Sequence, residues 1–132
     1  MTPEPEFLLV EDVLFLHERQ LSRYGGSPGV RDMGLLESAV ATPQATFDGE
    51  FLHKDSFTMA AAYAFHIAEN QPFVDGNKRT GLAAALVFLD LNGTQIADPQ
   101  GNLYEAMLAL ADHSLDKNGL ADLLRRLATA QK

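Results

Sequence analysis

No cysteine occurs among the 132 residues, so disulfides play no part in holding this chain together. The N-terminal "MTPEPEFLLVED" also lacks the basic opening of a signal peptide, and a cytoplasmic address is the simplest expectation. Long apolar runs are missing. The longest, "GLAAALVFLDL" from Gly81 to Leu91, is too short to cross a bilayer and is broken by Asp90, so no membrane partner is expected. Cations are scarce: ten Lys and Arg stand against eighteen Asp and Glu, a formal net charge of −8. The body of the protein therefore repels nucleic acid and anionic membranes, and any phosphate site must be local. Internal repeats, low-complexity tracts and linkers are absent as well. With 46% hydrophobic content, residues 1–132 suffice for a single domain and are too few for two.

What remains is helical patterning. "LVEDVLFLHERQLSRYGG" sets Val10, Val13, Leu14, Leu16, His17, Leu21 and Tyr24 near helical spacing, with Gly25 and Gly26 as the stop. "VRDMGLLESAVATP" predicts a second helix capped by Asp32, burying Leu35, Leu36, Ala39 and Val40 and ending before Pro43. "QATFDGEFLHK" reads as a loop, a small hairpin or a flap over a site. A helix capped by Asp55 or Ser56 then runs to Asn70, rich in alanines that let another helix come close. The next, "NKRTGLAAALVFLDLNG", is apolar on most sides and ends at Asn92 and Gly93, as the most buried helix would. Asp98 as cap with Pro99 in the first helical position predicts a fifth helix, and a cap near Asn118 a final amphipathic one. The expected fold is all-α, with one functional loop between its two most apolar helices.

That loop carries the chemistry. Gly76 and Asn77 tolerate unusual backbone angles, so the amides around them can converge on an anion at the positive end of the following helix. Lys78 and Arg79 place full positive charges in a first turn where cations oppose the helix dipole, an arrangement suited to an incoming anion. Asp75 beside a phosphate calls for a divalent cation such as Mg²⁺ between them. Pro72 restricts the loop and Phe73 can anchor it in the core. Residue by residue, a polar turn such as "DGNK" is an ordinary helix connection, and turn residues alone carry no function. The Walker phosphate loop is excluded, because its upstream glycine and preceding strand are both missing.

Taken whole, the string from Pro72 to Arg79 resembles the signature of the Fic/Doc superfamily, H-P-F-x-[DE]-G-N-[GK]-R, at every defined position. The departure is Gln71, which stands where the family's leading histidine belongs. "FLLVEDVLFLHERQLSRYGG", "GVRDMGLLESAVATPQ" and "AAAYAFHIAEN" extend the resemblance to the death-on-curing (Doc) branch over most of the chain. The resemblance implies a Fic fold, a compact bundle of about six helices with the signature loop between two central ones. It further implies ATP and Mg²⁺ as cofactors, with Asp75 as metal ligand, Gly76 and Asn77 as anion nest and Arg79 as phosphate clamp. Lys78, where AMP-transferring relatives place glycine, implies a reversed nucleotide that offers its γ-phosphate. By the same resemblance the chain is a toxin that transfers phosphate to a hydroxyl of a protein target, translation elongation factor Tu, and is neutralised by a small antitoxin.

In this family the leading histidine is the general base, so Gln71 implies a chain crippled for transfer. Gln71 is either a substitution introduced to silence a toxic enzyme, which the intact Asp75, Asn77 and Arg79 favour, or the mark of a natural pseudoenzyme. His66 lies five residues upstream, roughly 7.5 Å along its helix and on another side, and cannot take the base's place. His17, His53 and His113 sit in no catalytic or metal-ligand spacing and are expected to be structural or surface residues. "TFDGEF", Thr46 to Phe51, approximates the inhibitory-helix pattern of some relatives but lies in a glycine-containing loop and reads as coincidence. Two further readings stay open: an AMP-transferring Fic enzyme, and a non-catalytic Fic-fold binding module. A helical DNA-binding regulator is opposed by the charge of −8 and the lack of a basic recognition helix.

Overall fold

A computed structural model of the chain describes residues 4–131. Six helices make up most of it: α1 (Val10–Tyr24), α2 (Met33–Ala41), α3 (Ser56–Asn70), α4 (Asn77–Leu91), α5 (Asn102–Ala111) and α6 (Lys117–Leu127). A 3-10 turn (Thr42–Gln44) follows α2. Two small antiparallel pairs join β1 (Thr46–Phe47) to β2 (Glu50–Phe51), and β3 (Thr94–Ile96) to β4 (Ala128–Gln131). The all-helical expectation holds. Among the described residues no helix is long and apolar enough to cross a membrane.

The antiparallel pair α3 and α4 forms the centre. α3 buries Met59 through Ala64 together with Ile67 and Ala68, and α4 buries Thr80, Gly81, Ala84, Ala85, Phe88 and Leu89. Their approach depends on Gly81: a Cβ built there would lie 2.8 Å from the Ala64 carbonyl oxygen, closer than real side chains come to backbone. Around this pair sit Val13 from α1, Leu36 and Val40 from α2, Leu103, Met107 and Leu110 from α5, and Leu120 and Leu124 from α6. Tyr63 is buried in the middle, and its hydroxyl accepts the Leu8 N–H at 2.9 Å.

Aspartate side chains cap the starts of α2, α3 and α6. Asp32 accepts the Leu35 N–H at 3.0 Å, and Asp55 accepts the Thr58 N–H at 2.8 Å while the Thr58 hydroxyl returns the bond. Two starts differ from the sequence reading. α5 begins at Asn102, because Asp98, Pro99, Gln100 and Gly101 make a tight turn before it. The Asp98 carboxylate still receives the Asn102 and Leu103 N–H groups, both at 2.8 Å, from one turn upstream. α6 is capped by Asp116, whose Oδ1 accepts from Gly119 at 2.7 Å, so Asn118 lies inside the helix. The β3–β4 pair has no local signal in the sequence. The "TFDGEF" segment is the β1–β2 hairpin, turned at Asp48 and Gly49, both with positive φ as an Asp-Gly hairpin turn requires. Its Phe51 packs at a tilt against Phe7, which stacks on Phe88, so the hairpin roots at the C-terminal end of α4, away from the loop that precedes it.

α6 is fastened to α3 through a histidine pair. Lys117 Nζ lies 3.0 Å from His66 Nε2 and 3.4 Å from His53 Nε2, an arrangement in which the ammonium donates to two neutral rings. Burial, then Lys117, then His53 push the His66 pKa down to about 4, against an upward pull from Glu69; His53 is lowered by burial and Lys117.

Two tests follow from this packing. Gly81→Ala should destabilise the protein by about 1–3 kcal/mol through the forced separation of α3 and α4, although alanine is the better helix former; urea unfolding measures it, and an unchanged midpoint would contradict the close approach. An unfolded histidine titrates near 6.5, so below that pH the unfolded chain binds the proton that folded His66 refuses until about 4. Stability should therefore fall as pH drops from about 6.5 to about 4, and His66→Gln should flatten that slope in denaturation curves taken across the window.

Candidate functional site

The loop between α3 and α4 is held from three sides before any ligand is considered. α3 stops at Gln71, a left-handed residue (φ 49°, ψ 57°) whose N–H still reaches the Ile67 carbonyl. From the segment ahead of α2, Arg31 Nε donates to the Gln71 carbonyl at 2.7 Å and its terminal nitrogen to the Asn70 carbonyl at 2.8 Å, a cation at the negative end of a helix. The buried Pro72 carbonyl accepts the N–H groups of Arg31 and Asp32 at 2.6 and 3.0 Å, and Val74 N–H donates to Gly29 at 3.0 Å. These bonds form a one-residue antiparallel bridge between Val30 and Phe73.

The outward edge of Phe73 is closed by Asn77. Its Oδ1 accepts the Phe73 N–H and its Nδ2 donates to the Phe73 carbonyl, both at 3.0 Å. The Asn77 carboxamide is thus committed to the loop backbone, while its own main-chain N–H stays free for a ligand. The Phe73 ring is 1% exposed and lies flat on His17, with centroids 3.8 Å apart and planes 6° from parallel. His17 Nε2 donates to the Asp75 carbonyl at 2.8 Å. His17, expected only as a structural or surface residue, is therefore a buried support of the loop.

Asp75 points its carboxylate to the open side. Oδ2 accepts the Ser27 N–H at 3.1 Å and Oδ1 the Gly76 N–H at 2.9 Å. The Ser27 bond, then the Gly76 bond, hold its pKa below the usual carboxylate value, with smaller help from Arg79 and His17, so it is charged near neutrality. Gly26 makes room for it: a Cβ there would meet Asp75 Oδ2 at 2.8 Å. Gly76 takes the left-handed turn into α4 (φ 79°), and no side chain caps this helix. The N–H groups of Asn77, Lys78 and Arg79 consequently have no partner among the described residues. A first turn of free amides at the positive end of a helix is a natural anion cradle.

Gln71, Val74, Asp75, Gly76, Asn77 and Lys78 line one open cavity of ≈ 230 Å³, closed by Ala68 and Glu69 of α3 and Ala111 of α5. The structure thus brings together Gln71, Asp75, Gly76, Asn77 and Lys78, buries Pro72 and Phe73 beneath them, and leaves Arg79 outside the lining. The Arg79 guanidinium lies over the Tyr24 ring, 4.8 Å from its centroid. His66 and His53 are drawn to Lys117, and exposed His113 pairs with Glu69 at 3.1 Å. Arg31 and Ser27 went unnoticed in the sequence, and Gly26 was read only as part of the stop of α1, because each acts on a partner about forty or more residues away with no local pattern to mark it. Asp75 suits a hard cation: it is exposed and ionised, and each oxygen holds one N–H and keeps a lone pair free.

Residues 7–89, from α1 through the signature loop to the buried end of α4, match the Fic/DOC family. A protein named "Protein kinase doc" from Escherichia phage P1 is 38% identical over 117 residues, covering 89% of this chain and 91% of its own. "Toxin Doc" from Mycolicibacterium smegmatis is 40% identical over 124 residues, 94% of this chain and 82% of its own. With the family match spanning the loop and its supports, and relatives aligned over nearly the whole length, the chain belongs to the Fic/DOC family.

Proposed function

We propose that this chain is a Doc-type toxin of a toxin-antitoxin pair, built to move a phosphate from Mg²⁺-bound ATP to a hydroxyl of a protein target, and that Gln71 cripples the transfer. The observation that carries this reading is the cavity on which Gln71, the ionised Asp75 and the uncapped first turn of α4 converge. A relative named as a protein kinase and another named as a toxin support it.

A phosphate entering the cavity meets the free amides of Asn77, Lys78 and Arg79, the positive end of α4 and Lys78 in the lining. Arg79, carried on the Tyr24 ring in the same first turn, adds a second full positive charge beside the cavity. Asp75 is the residue that would hold Mg²⁺, which when bound neutralises charge on the phosphate oxygens. As the acceptor oxygen bonds to phosphorus and the bond to the departing ADP oxygen breaks, the acceptor hydroxyl must give up its proton. Gln71 faces the cavity where that proton would be received. Its carboxamide can orient the hydroxyl and cannot take the proton near neutral pH. Family resemblance names elongation factor Tu as the target and a small antitoxin as the restraint. Lys78 favours phosphate over AMP transfer, since its side chain fills space that a glycine would leave to a further phosphate group. Gln71 itself favours a second reading, a Fic-fold module that binds nucleotide or partner without chemistry.

Restoring the base separates these readings. Gln71→His, incubated with elongation factor Tu and ATP labelled at either the α or the γ position, should label the factor from γ alone, about 10²–10⁴-fold faster than the Gln71 protein. Label from the α position would mean AMP transfer, and none from either would leave the binding module. In the Gln71 protein itself, Arg79→Ala should weaken Mg²⁺-ATP binding by about tenfold or more, the worth of a lost charge-assisted bond to phosphate. Equal calorimetric affinities would remove Arg79 from the site.

A further inference from the structure

We infer that α1 is the template on which the loop is set, through two positioning residues two turns apart on one face: His17, which fixes the Asp75 end, and Tyr24, which fixes the Arg79 end. The inference rests on reading the loop as a metal and phosphate site, and assigns the job of aiming it to a helix outside the signature.

The face reads His17, Leu21, Tyr24, the i, i+4, i+7 stripe of one helix side. His17 is 4% exposed and meets the loop twice, by its ring on Phe73 and by its Nε2–H on the Asp75 carbonyl. A leucine or phenylalanine could fill the space but would leave that carbonyl unpaired beneath the loop. With the Asp75 peptide held from below, the carboxylate is left on the open side, where Ser27 and Gly76 orient it. Leu21 fills the middle, its Cδ2 3.7 Å from the place a Cβ on Gly76 would occupy. Tyr24 serves no core, being 55% exposed; its ring carries the Arg79 guanidinium at 4.8 Å and Arg23 at 5.8 Å. An arginine in a first turn opposes the helix dipole, and the aromatic face offsets that while restricting a long side chain beside the cavity. Less ordering then remains to be lost when an anion binds.

Because each residue serves one end, their effects should separate by ligand. In the Gln71 protein, calorimetry with tripolyphosphate in the absence of metal reads the Arg79 end, and titration with Mn²⁺ reads the Asp75 end. Tyr24→Leu should weaken tripolyphosphate about three- to fivefold and leave Mn²⁺ unchanged, whereas Tyr24→Phe, which keeps the ring, should match the parent. His17→Leu should weaken Mn²⁺ about tenfold, with His17→Gln, which keeps an N–H donor, recovering part of the loss. If His17→Leu does not fold, the Gln variant and the Tyr24 pair carry the test, since Tyr24 is exposed. A parent that binds both ligands with no change in the Tyr24 or His17 variants, or tighter tripolyphosphate binding by Tyr24→Leu, overturns the template and leaves the phosphate-site reading standing. A parent that binds neither ligand overturns both.

Discussion

The contact of Gly81 with the Ala64 carbonyl sets the spacing on which the site depends. α3 and α4 run antiparallel and lie so close that a methyl group would not fit between them at this point. Their facing ends therefore stand side by side, and residues 71–76 must turn the chain within that gap. Everything unusual in the loop serves so tight a reversal: the left-handed Gln71, the buried Pro72 and the left-handed Gly76.

The same antiparallel pairing puts two opposite half-charges next to each other. The C-terminal carbonyls of α3 are the negative end of one helix dipole and the free amides of α4 the positive end of the other. Arg31 answers the first through the Asn70 and Gln71 carbonyls. The second is left unanswered by any side-chain cap. A protein of net charge −8 thus carries a small region where free backbone amides, Lys78 and Arg79 lie together, with the Asp75 carboxylate at its rim.

Most helices were legible because their signals are local. Apolar spacing located α1 through α4, and Asp32 and Asp55 cap where their sequence positions suggested. The loop was legible as a string, since Gly76, the two cations and Asp75 lie within five consecutive residues. What sequence could not convey is contact at a distance. Nothing near His17 announces that its ring lies on Phe73, and nothing near Arg31 announces two carbonyls at the end of α3. The role of the Asn77 side chain was hidden for a related reason: an asparagine that clamps backbone and one that faces a ligand are the same letter, and geometry alone separates them. The β3–β4 pair joins the connection after α4 to the segment after α6, so neither strand has a neighbour in sequence to predict it.

The left-handed backbone at residue 71 separates shape from chemistry. That conformation costs a residue with a Cβ about 1–2 kcal/mol, which glycine would avoid. The turn itself is imposed by main-chain bonds, from residue 71 back to Ile67 and from Arg31 to its carbonyl, none of which involves the side chain of Gln71. The loop is therefore a socket, formed in advance and indifferent to what is plugged into it. A chain that needed only the turn would be better served by glycine, and because no main-chain bond of the turn runs through the residue 71 side chain, that side chain can be exchanged at the cavity without altering the path of the loop.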